Sequence, residues 1–399
     1  MMLKILDSIR LWWVVVAALL IRFCAWPVTS RISFPDTETY FIAGQELFTS
    51  GRISSDLVMP LHPVVVGLMG SLDAARVLDI FLSALTVLLV YRLTIAIFDN
   101  QRAAILAALA TAVYPFFVFY SGVLLTETLY IFLLVLAFDC FYRKKYFLAA
   151  LVVVLSILQR PTLDFLAPLL IIAFTCLVHH SGYKKAFSVL LAYAAIYLAL
   201  FIPWWMHQHD KYDQFVRLNL ADGLVWYSGN NPLNTSGGGV VGSAKGDDLD
   251  KQVFEHIEDP YEKNEAYKAA AFEYIKENPA RFVRMMGVKF VRFWRLYPYT
   301  PEFENPFYVI VSILSFGPVL LLALLFVISR INIRRHWHTH VRVLPIYMLI
   351  GYLSLVHMMT IGSIRYRLPL EPFMIVLASM YVIEWFERRV KAPMIDKTR

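Results

Sequence analysis

The side chains best suited to chemistry are few and stand out against an apolar chain: Asp36, Glu38, His62, Glu127, Arg160, Arg365 and Arg367. Asp36 and Glu38 are two residues apart after Pro35. In an extended segment such a pair faces one way, and a carboxylate there can take the proton from an incoming hydroxyl. Asp36 can equally cap a following helix, and its neighbours leave both readings open. Arg365 and Arg367 lie in Ser363-Ile364-Arg365-Tyr366-Arg367-Leu368-Pro369. If that stretch is extended, two guanidiniums point the same way and can grip a phosphate with forked hydrogen bonds; the alternative is lipid-headgroup anchoring. Glu127, in Leu125-Thr126-Glu127-Thr128, opens an apolar segment where a helix dipole favours an acid. It is either structural or a group that orients a substrate hydroxyl or a catalytic arginine. Arg160 precedes Pro161 at the end of a run, where a lone arginine usually snorkels. His62 sits in Pro60-Leu61-His62-Pro63. Ionisable groups at membrane depth are costly, so each needs a reason.

The elements that must hold these residues follow from composition. Hydrophobic residues make up 59% of 399 positions and charged residues 17%, with a mean hydropathy of +0.58. A soluble chain carries about 25% charge. The apolar runs are long enough to cross a bilayer, and about ten spans fit: 11–27, 76–98, 102–120, 122–142, 146–160, 163–178, 186–205, 306–329, 342–361 and 368–387. The fifth and sixth are short. The net charge of +7 suggests membrane topology rather than nucleic acid, because the basic clusters fall between runs. With the N-terminus inside, Arg102, Arg143 to Lys145, Lys184-Lys185, Arg330 to Arg342 and Arg388 to Lys391 all lie in the cytoplasm, as does the C-terminus. The candidate residues then gather at the outer face, whereas a transporter would place them near the midplane.

Two long segments fall outside under this topology. Residues 28–75 contain an amphipathic surface helix with an Asp or Thr cap and a stop at Gly51. Residues 206–305 contain Gly229-Asn230-Asn231-Pro232, a polar helix between Asp259-Pro260 and Asn278-Pro279, and a basic, aromatic interfacial helix. The chain therefore divides into a transmembrane module (1–205) with its catalytic loop (28–75), an extracytoplasmic loop domain (206–305), and C-terminal spans with a short tail (306–399). Cys24, Cys140 and Cys176 have no motif spacing. Lys4, Arg10 and the following run read as an uncleaved first span. Gly237 to Lys245 lacks the lysine a phosphate loop requires, and His336, His338 and His340 fall in a solvated basic loop. Asn234-Thr235-Ser236 is a glycosylation sequon.

Taken together, these motifs resemble the GT-C glycosyltransferases, membrane enzymes that use polyprenyl-phosphate-linked sugars, in the small bacterial form of the protein O-mannosyltransferase and aminoarabinose-transferase branch. The resemblance rests on Asp36-Thr-Glu38-Thr-Tyr40, Pro60-Leu-His62-Pro63, Tyr120-Ser121-Gly122 before Leu125-Thr126-Glu127, Arg160-Pro161, Pro203-Trp204, Gly229-Asn230-Asn231-Pro232 and Arg365-Tyr-Arg367-Leu-Pro369. It implies an all-α polytopic bundle in the bacterial inner membrane. It also implies inverting transfer from a polyprenyl-phosphate sugar to a lipid-linked glycan, lipid A-like or protein acceptor. Asp36 would be the general base. Arg365, Arg367 and Arg160 would bind the carrier phosphate, with Glu127, His62, Glu38 and Tyr40 around sugar or phosphate. The family often has adjacent acids where Thr37 here separates the two. No clear metal site is encoded; a divalent ion is compatible with the resemblance, although this branch commonly works without one. A flippase for lipid-linked sugars and a noncatalytic glycan-assembly subunit are the rival readings. Arg365→Ala and Arg367→Ala are both expected to weaken donor use more than folding.

Overall fold

The computed structural model describes residues 2–32, 34–239, 254–298 and 305–395, and among them there are helices and loops but no strand. The rest of the Gly237–Lys245 stretch beyond residue 239 lies outside the described residues.

Among the described residues, six helices are long and apolar enough to cross a membrane: Leu11–Thr29, Leu72–Phe98, Tyr183–Tyr212, Pro306–Ile328, Trp337–Met359 and Ile364–Arg389. The expected third span is a pair, Gln101–Ala112 and Pro115–Val123, bent by 49°. Pro115 explains the break, because it has no N–H to donate and excludes the preceding residue from helical geometry. The expected fourth to sixth spans appear as Thr126–Tyr142, Tyr146–Gln159 and Ala167–Val178, each under 18 residues. Thr126–Tyr142 is buried on nearly all sides and packs between Leu72–Phe98 and Tyr146–Gln159. It is the axis of the bundle.

Charged side chains occupy the two ends of that axis. At one end, Asp139 accepts from Arg92 and Arg143, each at 2.8 Å. Nearby, Arg102 pairs with Asp7 at 2.8 Å and Arg330 pairs with Glu384. At the other end is Glu127. Between them, Leu129 to Phe138 offers only the Tyr130 hydroxyl as a side-chain polar group.

Two helices cover the Glu127 end. Pro35–Ser50 starts with proline at its first position and stops at Gly51, whose φ is 70°. Phe34 is its N-cap and makes no side-chain capping bond. Asp36 is thus not the cap, and the 35–38 stretch is helical rather than extended. Side chains two apart on a helix diverge by about 200°, so Asp36 and Glu38 do not face one way. Pro35–Ser50 crosses Leu61–Met69 with backbone almost touching backbone. A Cβ on Gly44 would lie 2.7 Å from the Pro63 carbonyl oxygen, and one on Gly67 2.6 Å from that of Gly44. This crossing holds the Asp36 turn against the bundle.

In the 206–298 region, Asp222–Gly229 and Pro260–Glu277 pack around Tyr227, Phe254, Tyr267 and Ala271. Asp259 caps the second helix by accepting from the Glu262 N–H at 2.8 Å. The amphipathic helix Pro279–Phe293 then runs against Trp337–Met359. Asn234 of the sequon is buried, and its side-chain amide donates to the carbonyls of Ser228, Gly229 and Gly238. It braces this turn and is not an exposed acceptor for a glycan.

Candidate active site

Four elements bring one charged network together. Glu127 is the second residue of Thr126–Tyr142, so its carboxylate sits beside free backbone N–H groups at a helix start. Arg160 follows Gln159 at the end of the antiparallel neighbour, where Pro161 forces a short 3-10 turn. Arg365 lies in the turn Ile364–Arg367, started by Ser363, whose hydroxyl accepts from the Arg365 N–H at 3.3 Å. Asp36 comes from the first turn of Pro35–Ser50.

The geometry is asymmetric. Glu127 is fully buried and holds both arginines: Arg160 Nη1 at 3.1 Å, and Arg365 through Nε. Arg365 Nη1 also reaches the Asp36 carboxylate at 2.8 Å. The Asp36 side chain is 46% exposed, against 25% for Arg365 and 0% for Glu127. Burying a lone carboxylate is costly, and two guanidiniums offset that cost for Glu127. Asp36 is the member that can leave the network for water or a ligand. The Arg160 guanidinium lies 5.7 Å from the Tyr130 ring and 5.4 Å from the Tyr366 ring. Apart from its bond to Glu127, it makes no hydrogen bond among the described residues.

Asp36, Tyr40, Arg160 and Arg365 line a cavity of about 950 Å³. Its far side is built from Arg217, Trp226, Tyr261 and Lys268 of the 206–298 region. That volume falls within the range of small-molecule sites. Burial, and then Asp36, push the Tyr40 hydroxyl up to about 12. Tyr40 is therefore a neutral hydrogen-bond donor at any physiological pH. Among the described residues, no group of three or more His, Cys, Asp or Glu side chains could hold a metal ion.

The remaining candidates take other places. His62 is buried behind Tyr40, with ring centroids 4.7 Å apart, and is not in the cavity wall. Gln159 Nε2 donates to the Thr126 carbonyl at 3.2 Å and lies 3.0 Å from His62 Nδ1. The carbonyl can only accept, so the Gln159 amide is oriented, Nδ1 must accept, and the His62 proton sits on Nε2. Burial pushes the His62 pKa down to about 4. Between about pH 6.5 and 4 the unfolded chain therefore binds the proton and the folded one does not, so stability falls as pH falls. We expect thermal melts to lose about 1 kcal/mol per pH unit on acidification below 6.5, and His62→Gln to flatten that slope. Equal slopes would show that His62 is not buried neutral. Glu38 is exposed and makes no ion pair or hydrogen bond among the described residues.

Arg367 departs furthest from expectation. The segment is a helical turn rather than extended, so Arg367 points away from Arg365. It is fully buried, pairs with the equally buried Glu371 at 2.8 Å, covers the Phe316 ring at 3.4 Å and donates to the carbonyls of Phe293 and Arg295. Removing it strands a buried carboxylate. Arg367→Ala should cost about 3–5 kcal/mol of stability, read as a lower melting temperature and yield, while the folded fraction keeps its ligand affinity. Weakened ligand binding in a stably folded variant would contradict this assignment.

Sequence reasoning missed Gln159, Tyr366, Arg217 and His357. Arg217 pairs with Asp164 at 2.5 Å. His357 lines the cavity and stacks on Tyr366 at 4.6 Å. Gln159 and Tyr366 adjoin arginines already singled out, and that adjacency was their only signal. For the other two the sequence carried none.

No protein-family model matches the chain, and no curated protein matches it. Solved structures do. The archaeal oligosaccharyltransferase AglB from Archaeoglobus fulgidus, in complex with an inhibitory peptide and a dolichol-phosphate, superposes with a TM-score of 0.57 at 16% identity, covering 98% of this chain and 52% of that one. The apo form of the Archaeoglobus fulgidus oligosaccharyltransferase gives 0.53 at 14% identity, covering 96% and 52%. The chain thus spans about half the length of these neighbours. At such identities the likeness shows the fold: an all-α membrane bundle of the oligosaccharyltransferase type, as the GT-C resemblance leads one to expect.

Proposed function

We propose that this chain is a GT-C-type glycosyltransferase that moves a sugar from a polyprenyl-phosphate donor to a hydroxyl of a lipid-linked glycan, lipid or protein. The observation that carries this reading is Arg365, shared between buried Glu127 and half-exposed Asp36 at the wall of a large cavity. A donor phosphate competes with Asp36 for Arg365 Nη1 and takes the spare N–H groups of Arg160. Binding the donor therefore releases Asp36 beside the sugar. Asp36 accepts the proton of the acceptor hydroxyl as its oxygen bonds to the anomeric carbon. The bond from that carbon to the phosphate oxygen breaks, its electron pair stays on the polyprenyl phosphate, and the two arginines stabilise the added charge. Attack opposite the leaving phosphate inverts the anomeric centre. Glu127 takes no proton; it holds the arginines in place.

In this proposal the cavity end of the bundle faces the periplasm or cell exterior, with both termini in the cytoplasm of a bacterial inner membrane; the basic clusters at the Asp139 end support it. Residues 1–205 and 306–399 hold the donor, and 206–305 faces the acceptor. The dolichol-phosphate and peptide bound to the archaeal neighbour are in keeping with a lipid phosphate and an acceptor meeting on this fold. The test is release of polyprenyl phosphate by the reconstituted chain from a panel of polyprenyl-phosphate sugars, with membrane lipids present as acceptors. Release from one donor supports the reading. No release from any would favour the flippase or the noncatalytic subunit.

A further inference from the structure

Lys289 is a cation that the transfer reaction leaves unused, and its setting is unusual. It lies on the inner face of Pro279–Phe293 and is completely buried. Among the described residues no carboxylate pairs with it. Its ammonium donates to Asn230 Oδ1 at 2.8 Å and to the Met359 carbonyl at 3.2 Å. Burial alone pushes its pKa down to about 8. A buried amine without an acid is expensive, so its two acceptors matter.

Both acceptors belong to one junction. Asn230, of the Gly229-Asn230-Asn231-Pro232 turn, turns its amide nitrogen to the same Met359 carbonyl at 3.0 Å. Three residues beyond Met359, the Gly362 N–H donates to the Gly237 carbonyl at 2.9 Å, and Arg292 Nε donates to the Gly362 carbonyl at 2.9 Å. A Cβ on Gly362 would fall 2.5 Å from the Lys289 carbonyl oxygen, so the loop lies flat on this helix. Ser363 follows and starts the turn that carries Arg365. The loop that aims Arg365 is thus fixed from the 206–298 side. That same region builds the far wall of the cavity through Trp226, one turn before Asn230, whose amide also donates to the Trp226 carbonyl at 3.0 Å.

We infer that Lys289, acting through Asn230 and the Met359 carbonyl, is a positioning residue that fixes the 359–363 loop and so holds Arg365 at donor-phosphate distance. The inference rests on the proposed role of Arg365. It links the acceptor side of the cavity to the donor side, so that Trp226, the Asn230 turn and the arginine loop move as one piece.

Two readouts on the full-length protein in nanodiscs test it: amide hydrogen exchange across residues 359–366, and affinity for polyprenyl phosphate itself. Lys289→Met removes the donor. It should raise exchange in that segment and weaken polyprenyl-phosphate affinity about tenfold, the effect of one or two lost hydrogen bonds, with a melting temperature close to wild type. Lys289→Gln keeps a donor at that position and should recover most of the affinity. Wild-type exchange and affinity in Lys289→Met would overturn the inference. So would unfolding of both variants, which would make Lys289 a brace and nothing more. If wild type binds no polyprenyl phosphate, the role of Arg365 fails instead, and the exchange experiment still judges whether Lys289 holds the loop.

Discussion

Arg365→Ala is expected to lower polyprenyl-phosphate affinity and donor kcat/KM by about 10²–10³-fold, the effect of losing two charge-assisted hydrogen bonds to a phosphate. The loss has two sources. The donor phosphate loses its forked partner, and the charge it gains on leaving loses one of the guanidiniums that stabilise it. Stability should fall by only about 1–3 kcal/mol, because Arg160 remains on Glu127 at 3.1 Å. Arg365→Lys should recover little of the loss, since one ammonium cannot hold Glu127 and a phosphate together as a planar guanidinium can. Isothermal binding and steady-state kinetics on folded protein check this. Affinity unchanged from wild type would place the phosphate elsewhere in the cavity. This behaviour should contrast with Arg367→Ala, where folding fails first.

Asp36→Asn is expected to cut sugar transfer by about 10²–10⁴-fold, the usual contribution of a positioned general base. The amide keeps the size of the carboxylate and can still accept from Arg365 through its oxygen, but it cannot take a proton. Donor affinity should hold or rise, because the ligand phosphate no longer competes with a carboxylate for Arg365 Nη1. Asp36→Glu should retain part of the activity. A tenfold loss or less in Asp36→Asn, measured as product formed per folded enzyme, would leave the acceptor proton to another group.

Much of this fold was legible in the sequence because long apolar runs and polar interruptions report the bilayer directly. The surface helix, the polar helix after Asp259 and the amphipathic helix that follows lie where proline, aspartate and the spacing of apolar residues put them. The broken third span was signalled by Pro115. The misread register around Asp36 was also avoidable: proline at the first helical position marks the helix start at Phe34-Pro35 and sets Asp36 inside the first turn. Arg367 carried a similar sign, for Glu371 stands four residues on, the spacing of a helical ion pair. The meeting of Asp36, Glu127, Arg160 and Arg365 was not legible as a contact. The pairs are separated by 33 to 329 residues of chain, and only their common end of the bundle hinted at it. The burial of partners such as Gln159 and Lys289 left no trace, because a polar residue in a helix looks the same in sequence whether it faces solvent or core.

The most direct test of the central claim compares wild type with Asp36→Asn in the same nanodisc preparation, following polyprenyl phosphate set free from the donor that wild type accepts. The prediction is that both proteins bind the donor and only wild type releases its carrier. Release by Asp36→Asn at the wild-type rate would remove Asp36 as the base and contradict the mechanism.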